Sequence, residues 1–316
     1  SKKIHWCQTR LIKGQMSKII LISGTTASGK SKFAVKIAKK LNGEIINADS
    51  MQIYKEIKIL NTRPDKTLTK QVKHHLYGFH SVKKSFSVGK WLKLTKKIIS
   101  TLLRKKKTPI VVGGTGLYFK SLTDGLVKIP NIPKKFRKAI REQQSKIGQK
   151  NFYKQLIKLD PQSINRIDPT DTQRSIRAYE VKKFSGISLF EWFKKTKNIY
   201  NKNQFIKIYL DFPREIILKR IETRCKKIIG QDSINEVRKF NKLKVRKNLS
   251  SNKIIGIAEI NEFIAQKYDL KQLQEKISIK TRQYAKRQAT WARGYMSDWT
   301  RVSKVEAKNY IKNFKY

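Results

Sequence analysis

The chain has 316 residues, of which 39% are hydrophobic, so it can form one large domain or two smaller ones. Its formal net charge of +51 indicates a polyanionic partner such as a nucleic acid, although lysine is spread over every segment and clustered arginine is the sharper signal. It has two distant cysteines, Cys7 and Cys225, and no apolar run near the roughly 18 residues of a membrane span, which excludes a disulfide framework, a zinc site built on paired cysteines and a spanning helix.

The first segment, residues 1–15, lacks the apolar stretch of a signal peptide. Met16 follows it, directly before the first predicted strand, so we expect residues 1–15 to form an extension outside the fold. Together with the cysteine content, this predicts a cytoplasmic protein without a membrane-bound part.

Residues after Met16 predict a strand, a loop and a helix. Residues 19–22 are apolar and mostly β-branched, and Ala34, Ile37, Ala38 and Leu41 follow at helical spacing, with Gly43 predicted to end the helix. Between them lies the pattern G-x-x-x-x-G-K-S, whose backbone N–H groups bind phosphates at a helix N-terminus. The predicted phosphate loop consists of Gly24, Thr25, Thr26, Ala27, Ser28, Gly29, Lys30 and Ser31.

Three further strands are predicted. They are residues 44–48, followed by Asp49; residues 110–112, followed by Gly113, Gly114 and Thr115; and residues 205–210, followed by Asp211, with Pro213 suited to the first turn of a helix. Strands that alternate with helices predict a parallel sheet, in which ligands bind at the carboxyl ends of the strands. We therefore expect the phosphate loop, Asp49 and Thr115 on one rim.

Residues 128–203 have helical patterns without an apolar strand, and we interpret them as a helical insertion domain. One helix in it is predicted to be capped near Asp171 and to end at Gly186, with Arg174 and Arg177 on one face. The catalytic core would then comprise residues 16–127 and 204–316. The predicted fold class is α/β, a parallel sheet of the P-loop NTPase type flanked by helices.

The rim residues limit the chemistry. An ATPase or GTPase is expected to carry an acid at the end of an apolar strand to support magnesium. The strand at 110–112 ends in Gly-Gly-Thr-Gly instead, which suits close approach of a substrate and a hydrogen bond from Thr115 to a leaving oxygen. Asp49 is the acid best placed on the rim, as a general base, a helix N-cap or a water-mediated magnesium partner.

Six segments occur in a characteristic order. They are GTTASGKS at 24–31, NADSMQIY at 47–54, HHL at 74–76, PIVVGGTGLYFKSL at 109–122, DTQRSIRAYEV at 171–181 and TRQYAKRQATW at 281–291. In this order they resemble the bacterial tRNA dimethylallyltransferases, and the resemblance extends from Met16 to about Trp299. It implies transfer of a dimethylallyl group from dimethylallyl diphosphate to the exocyclic amine of the adenosine 3′ of a tRNA anticodon (position 37).

The resemblance also implies residue roles. The diphosphate would lie on the phosphate loop with Mg²⁺ as cofactor, held with the help of Ser31. Asp49 would be the general base, Thr115 would steady the departing diphosphate, and Lys30 with Arg224 or Arg220 would neutralise its charge. The implied partners are the donor and the tRNA anticodon stem-loop, and a monomer is expected.

The implied tRNA contacts fall in four regions. They are Asp49, Ser50, Met51, Gln52 and Thr115 around the target adenine; Arg137, Gln173, Arg174, Ser175, Ile176 and Arg177 in the insertion; Lys253; and Arg282, Lys286, Arg287, Gln288, Trp291 and Arg293 in the last long helix. The spacing of this last set by itself predicts either a basic stripe that faces phosphates or a solvated basic face with Trp291 in the core.

Two segments depart from the family pattern. Residues 55–64 replace a glycine-containing family segment, and residues 254–260 lack a tyrosine and an arginine, a loss that Lys253 offsets in part. Rival functions are an adenylate isopentenyltransferase acting on free AMP, which would not need the insertion, and a P-loop small-molecule kinase or a basic RNA-binding ATPase. The kinase and the ATPase would both turn over ATP.

Overall fold

A computed structural model describes residues 18–314, and its centre is a six-stranded sheet. The strands are β1 (Ile19–Gly24), β2 (Gly43–Asn47), β3 (His74–His75), β4 (Thr108–Gly113), β5 (Phe205–Leu210) and β6 (Thr300–Val302). Their order is β3-β2-β4-β1-β5-β6, and every neighbouring pair is parallel. Because parallel strands are covered on both faces, β1, β2 and β4 are buried along their whole length.

The other main elements are α-helices. Those in the described part of the chain are α1 (Lys30–Lys40), α2 (Lys66–Thr69), α3 (Val88–Arg104), α4 (Gly116–Thr123), α5 (Lys134–Leu159, interrupted at Gly148), α6 (Thr172–Ser185), α7 (Leu189–Lys194), α8 (Arg214–Ile228), α9 (Gln231–Lys242), α10 (Ile257–Ile264), α11 (Leu270–Tyr295) and α12 (Glu306–Asn313). Among residues 18–314, no helix combines the length and the apolar character needed to cross a membrane.

The described chain divides into two compact units. The larger contains residues 18–121 and 200–314 with the entire sheet, and the smaller contains residues 122–199. The smaller unit starts six residues before the predicted insertion (122 against 128) and ends four residues before its predicted end (199 against 203). The predicted extension at residues 1–15 lies outside the described residues.

Apolar spacing positions the helices of the larger unit. Ala34, Ile37 and Ala38 of α1 are buried against Ile20 and Ile22 of β1, because residues three and four apart share one helix face. A second cluster joins α8, α9, α10 and α11. In the smaller unit, a separate cluster packs α5 against α6, so each unit has a core of its own.

The four predicted strands are confirmed, with ends that differ by at most two residues. Two short strands, β3 and β6, were not predicted, because two or three residues carry no period that a sequence can show. Pro213 lies at the N-cap of α8 and not in its first turn.

The end of α1 also differs from the prediction. The helix ends at Lys40, and Asn42, with φ of 47°, has the left-handed conformation that redirects the chain. Gly43 is the first residue of β2, where a Cβ atom would lie 2.9 Å from the carbonyl oxygen of Thr108. The prediction that Gly43 ends the helix was therefore wrong: this glycine allows two strands to approach.

Gly113 permits the closest approach in the sheet. A Cβ atom here would lie 2.1 Å from the carbonyl carbon and oxygen of Ala48, both backbone atoms that cannot move aside. We expect Gly113→Ala to destabilise the protein by about 3 kcal/mol or more.

The matched control is Gly294 in α11, where a built Cβ has no atom of the described residues within 4 Å apart from the adjacent residues and backbone of its own helix. Gly294→Ala should stabilise the protein by up to about 1 kcal/mol, because alanine favours the helix. Urea unfolding of both variants measures these changes, and an unaltered midpoint for Gly113→Ala would contradict the role given to Gly113.

Candidate active site

The carboxyl ends of β1, β2 and β4 meet at one edge of the sheet. Ser23 pairs with Gly113 and Asn47 with Val112, so the phosphate loop, the turn at Asp49 and the loop at Thr115 begin side by side. A cavity of about 590 Å³, the loop cavity, opens beside them. Its polar lining includes Thr26, Gly29, Lys30, Ser31, Asp49, Gln52, Arg220, Arg224, Lys253 and Arg287, and its apolar lining includes Met51, Leu60, Ile228, Ile229, Ile254, Ile255 and Ile277.

The phosphate loop has the backbone of an anion site. Ala27 and Gly29 have φ of 64° and 83°, and α1 starts at Lys30 without a side-chain cap. The first N–H groups of a helix lack partners within the helix and carry partial positive charge. The N–H groups of Lys30 and Ser31 therefore lie at the loop cavity and make this part of it suitable for an anion.

Lys30 is held at the base of this loop. Its Nζ donates to the carbonyl oxygen of Thr25 at 3.2 Å. Burial lowers the pKa of Lys30 to about 8; the Asp49 carboxylate opposes this change and the Arg224 guanidinium adds to it. The Asp49 carboxylate therefore does not fully stabilise the protonated form of Lys30.

Two arginines of α8 hold the loop from one side. Arg220 Nη1 donates to the carbonyl oxygens of Ala27 and Ser28, both at 3.3 Å, and Arg224 Nη2 donates to Thr26 Oγ1 at 2.8 Å. Burial lowers the pKa of Arg224, and the charge of Asp49 opposes this. Both predicted arginines thus lie at the phosphate loop, one turn apart on α8.

Asp49 is fixed by the residues around it. Its Oδ1 accepts a hydrogen bond from Met51 N at 2.9 Å, and Asn47 Oδ1 accepts one from Asp49 N at 2.8 Å. Asn47 Nδ2 donates to the carbonyl oxygens of Asp49 and Leu76. The carboxylate therefore closes a tight turn and borders the loop cavity. Asp49 is not a helix N-cap, which was one of the three roles that its position allowed.

Thr115 is bonded to this same turn. Its Oγ1 accepts from Ser50 N at 2.9 Å and donates to Ser50 Oγ at 3.3 Å. Thr115 and Ser50 lie outside the lining of the loop cavity. In this structure Thr115 supports the turn of Asp49, and its contact with a leaving oxygen stays a prediction.

The space beside the glycines next to Thr115 is occupied by other side chains of the protein. A Cβ atom at Gly114 would lie 2.1 Å from Gln288 Nε2, and one at Gly116 would lie 2.0 Å from Trp291 Nε1. The expectation that these glycines leave space for a substrate is therefore wrong at these two positions, because side chains of α11 fill it.

Comparisons with known proteins agree with this geometry. A family model described as IPP transferase matches residues 52–295, and one described as isopentenyl transferase matches residues 17–80. A tRNA dimethylallyltransferase of Pelagibacter ubique is 55% identical over 301 residues, which is 95% of this chain and 96% of that protein. This chain belongs to the IPP transferase family.

Relatives and solved structures extend the match. A tRNA dimethylallyltransferase of Rickettsia canadensis is 40% identical, over 89% of this chain and 87% of that protein. A tRNA isopentenylpyrophosphate transferase of Bacillus halodurans has a TM-score of 0.67 and 27% identity, with 94% of this chain and 95% of that one covered. A eukaryotic dimethylallyltransferase acting on tRNA has a TM-score of 0.80 and 25% identity, with 94% and 76% covered.

Membership of this family confirms the resemblance, the P-loop fold class and the prediction of a transferase. The rival functions, a kinase, an ATPase and an adenylate isopentenyltransferase, find no support in these comparisons, since the relatives above are transferases named for tRNA.

The basic residues that the family resemblance assigns to α11 lie on two sides of that helix. Arg287 borders the loop cavity. Arg282, Lys286 and Arg293 border a second cavity of about 610 Å³ between α8 and α11, together with Arg214. Arg282, Lys286 and Arg293 therefore share one face and Arg287 lies on another, while the contact of either face with phosphates stays a prediction.

Gln288 and Trp291 lie between these basic groups and the sheet. Both are half-buried, and Trp291 stacks on Tyr295 with ring centroids 4.3 Å apart. Trp291 is therefore neither fully in the core nor fully exposed in a basic stripe, because its ring is half-buried and is partly covered by the exposed Tyr295.

The smaller unit gathers arginines around one buried carboxylate. Glu180, 1% exposed, pairs with Arg137 Nε at 3.2 Å, Arg177 Nη1 at 3.5 Å and Arg141 Nε at 3.7 Å. All three arginines are roughly half exposed, so the cluster presents two net positive charges to solvent. Burial lowers the pKa of Arg177, Glu180 opposes this, and the nearby Arg137 adds to it.

The other residues of α6 that were predicted to contact RNA lie on two faces of the helix. Gln173 and Arg174 are exposed, whereas Ser175 and Ile176 are buried at 0% and 4%. Ser175 Oγ accepts from Gln149 Nε2, and Ile176 belongs to the core of the unit. The contact of Ser175 and Ile176 with RNA stays a prediction, and because both side chains face the core, it would involve at most their backbone.

The segments that depart from the family pattern also line the site. Gln52 Nε2 donates to the carbonyl oxygens of Asn61 and Thr62, and Asn61 Nδ2 donates to that of Met51. Ile254 and Ile255 join the apolar wall of the loop cavity beside Lys253. Both segments therefore keep a place at the site with altered side chains.

Sequence reasoning missed Arg141, Glu180 and Asn47. Arg141 was detectable, because it lies four residues after Arg137 and shares its helix face. The role of Glu180 was not, since only the packing of α5 on α6 brings its carboxylate to Arg137 and Arg141. Asn47 carried no signal beyond its place at a strand end.

The lowered pKa of Lys30 predicts proton uptake when an anion binds. Bound inorganic diphosphate raises this pKa, so at a pH of about 8.5 a partly neutral side chain becomes charged on binding. Calorimetric titrations in two buffers of different ionisation enthalpy measure the protons taken up. Lys30→Arg, whose guanidinium stays charged, should take up fewer protons than the wild type; equal uptake would contradict the shifted pKa.

Proposed function

We propose that this protein transfers the dimethylallyl group of dimethylallyl diphosphate to the exocyclic amine of adenosine 37 in tRNA, releasing diphosphate. The observation that carries the proposal is one cavity lined by a cationic phosphate loop, a fixed carboxylate and an apolar wall. The strand beside β1, β4, ends in Gly113 and not in an acid, which favours a leaving diphosphate over a hydrolysed nucleoside triphosphate.

The donor fits the loop cavity in two parts. Its diphosphate would accept hydrogen bonds from the N–H groups at the start of α1 and pair with Lys30 and Arg224. Its five-carbon group would contact the isoleucines of the apolar wall, where burial of hydrocarbon is favourable. Groups that neutralise charge on the departing diphosphate would lower the barrier.

The residues present fit a magnesium ion. Ser31 borders the cavity at the N-terminus of α1, where the phosphates would lie, and Asp49 is a second oxygen donor in the same lining. Mg²⁺ prefers oxygen ligands and usually keeps several waters, so one hydroxyl and the phosphates suffice. Within residues 18–314 no cluster of three His, Cys, Asp or Glu side chains could hold a metal by itself. When bound, the ion would offset charge on the diphosphate.

Asp49 would act as the general base. As the amine nitrogen forms its bond to the first carbon of the dimethylallyl group, the carbon–oxygen bond to diphosphate breaks and its electron pair leaves with the diphosphate. The carboxylate, which accepts from Met51 N while Asn47 holds the Asp49 backbone, would accept the proton that the amine loses.

RNA would be bound by the exposed basic groups. The cluster of Arg137, Arg141 and Arg177 offers free guanidinium edges, since each arginine uses only part of its donors on Glu180. Such groups bind backbone phosphates without regard to sequence. The half-exposed Gln52 and Met51 border the loop cavity, where a flipped adenine would lie beside Asp49. The cytoplasmic location and the monomeric state stay predictions.

The direct test uses the purified protein with labelled dimethylallyl diphosphate and Mg²⁺. With tRNA and AMP offered separately, we expect label only in tRNA, as prenylated adenosine on nucleoside analysis. Label in AMP alone, or ATP hydrolysis without transfer, would overturn the proposal.

Asp49→Asn tests the role of the carboxylate. The amide can still accept from Met51 N, so the turn should persist, but it cannot take a proton. We expect the turnover number to fall by about 10²- to 10⁴-fold while the Kd for an anticodon stem-loop changes less than about twofold. An equal loss of affinity and turnover would mean that Asp49 serves only to shape the site.

A further inference from the structure

Gln288 of α11 links the two loops that form the active site. Its Oε1 accepts a hydrogen bond from Thr26 N in the phosphate loop at 2.7 Å, and its Nε2 donates one to the carbonyl oxygen of Gly114 at 3.0 Å. Thr26 and Gly114 are distant in the chain and belong to the ends of neighbouring strands, β1 and β4. One side-chain amide thus spans them.

The orientation of this amide is determined by its partners. A backbone N–H faces Oε1 and a backbone carbonyl faces Nε2, so the reversed amide would set donor against donor and acceptor against acceptor. A carboxylate would satisfy Thr26 N but would place a negative charge against the Gly114 carbonyl. Glutamine is therefore the side chain of this length that satisfies both loops.

The Thr115 loop is shaped to receive this side chain. A Cβ atom at Gly114 would lie 2.1 Å from Gln288 Nε2, so any larger residue there would displace the amide. Gln288 itself is outside the lining of the loop cavity and of the second cavity. Both polar ends of the side chain are used within the protein, which differs from the RNA contact assigned to it from the sequence.

Hydrogen bonds and adjacent residues of the chain together link this amide to the general base. Gly114 precedes Thr115, whose Oγ1 accepts from Ser50 N, and Ser50 follows Asp49. On the other side, Thr26 Oγ1 accepts from Arg224. Gln288 therefore joins the group that binds the leaving diphosphate to the turn that carries Asp49.

We propose that Gln288 is a positioning residue that sets the separation between the phosphate loop and the Thr115 loop. Through these loops it aligns the diphosphate with Asp49 without touching RNA. The inference rests on the proposed function for its kinetic part, because alignment matters only in the transfer step. Its effect on the phosphate loop is independent of RNA.

The test compares Gln288→Met, which keeps the length of the side chain and loses both hydrogen bonds, with the wild type. Transfer to tRNA should fall at least about tenfold in kcat, with the Kd for an anticodon stem-loop within about twofold and a similar melting temperature. The Kd for inorganic diphosphate should rise about three- to tenfold, because a hydrogen bond that orders the loop is lost. Gln283→Met is the matched control, since Gln283 is exposed on α11 and borders the second cavity.

Gln288→Glu keeps the acceptor for Thr26 N and serves as a second variant if the methionine variant does not fold. It should also reduce kcat, because the bond to Gly114 is replaced by repulsion. Unchanged kcat and diphosphate affinity in a folded Gln288→Met variant would overturn the inference, as would a loss of RNA affinity equal to the loss of kcat. Absence of transfer by the wild type would refute the proposed function instead, and the diphosphate measurement would still decide the role of Gln288.

Discussion

The parallel pairing of β1 with β4, and of β4 with β2, is the constraint on which the rest of the site depends. Parallel strands end at the same edge of a sheet, so the phosphate loop, the turn at Asp49 and the loop at Thr115 must start next to one another. The backbone contact between Gly113 and Ala48 brings the last two within bonding distance, and Thr115 then accepts from Ser50. Chemistry at this edge is a consequence of strand order.

A deficit of negative charge is the second property of the site. Lys30 and Arg224 are half-buried at the phosphate loop, and the loss of solvation there lowers the pKa of each, with Asp49 as the carboxylate that opposes this. An arrangement of this kind costs stability when empty and is relieved when an anion enters. The cluster at Glu180 likewise has more positive than negative groups, with three arginines around one carboxylate.

Helix α11 connects these parts because its faces differ. One face places Arg287 at the loop cavity, another places Arg282, Lys286 and Arg293 at the second cavity, and a third inserts Gln288 and Trp291 among the glycines beside Thr115. A substitution on this helix therefore acts at the loop cavity, at the second cavity or at the glycines beside Thr115 according to its face, and neighbours such as Arg287 and Gln288 have separate contacts.

The sequence by itself determined the phosphate loop, the four longer strands and the parallel sheet, because these depend on local patterns: the spacing of glycines and lysine, β-branched runs and helical periodicity. It also placed Asp49 and Lys30, whose positions follow from a strand end and the phosphate-loop spacing, whereas Arg220 and Arg224 came from the resemblance to the family. Only the tertiary structure decided that Asp49 closes a turn, that Gly114 and Gly116 admit Gln288 and Trp291, and that Glu180 gathers Arg137, Arg141 and Arg177. Each of these depends on atoms brought together from distant parts of the chain, and no spacing within a single segment encodes such contacts.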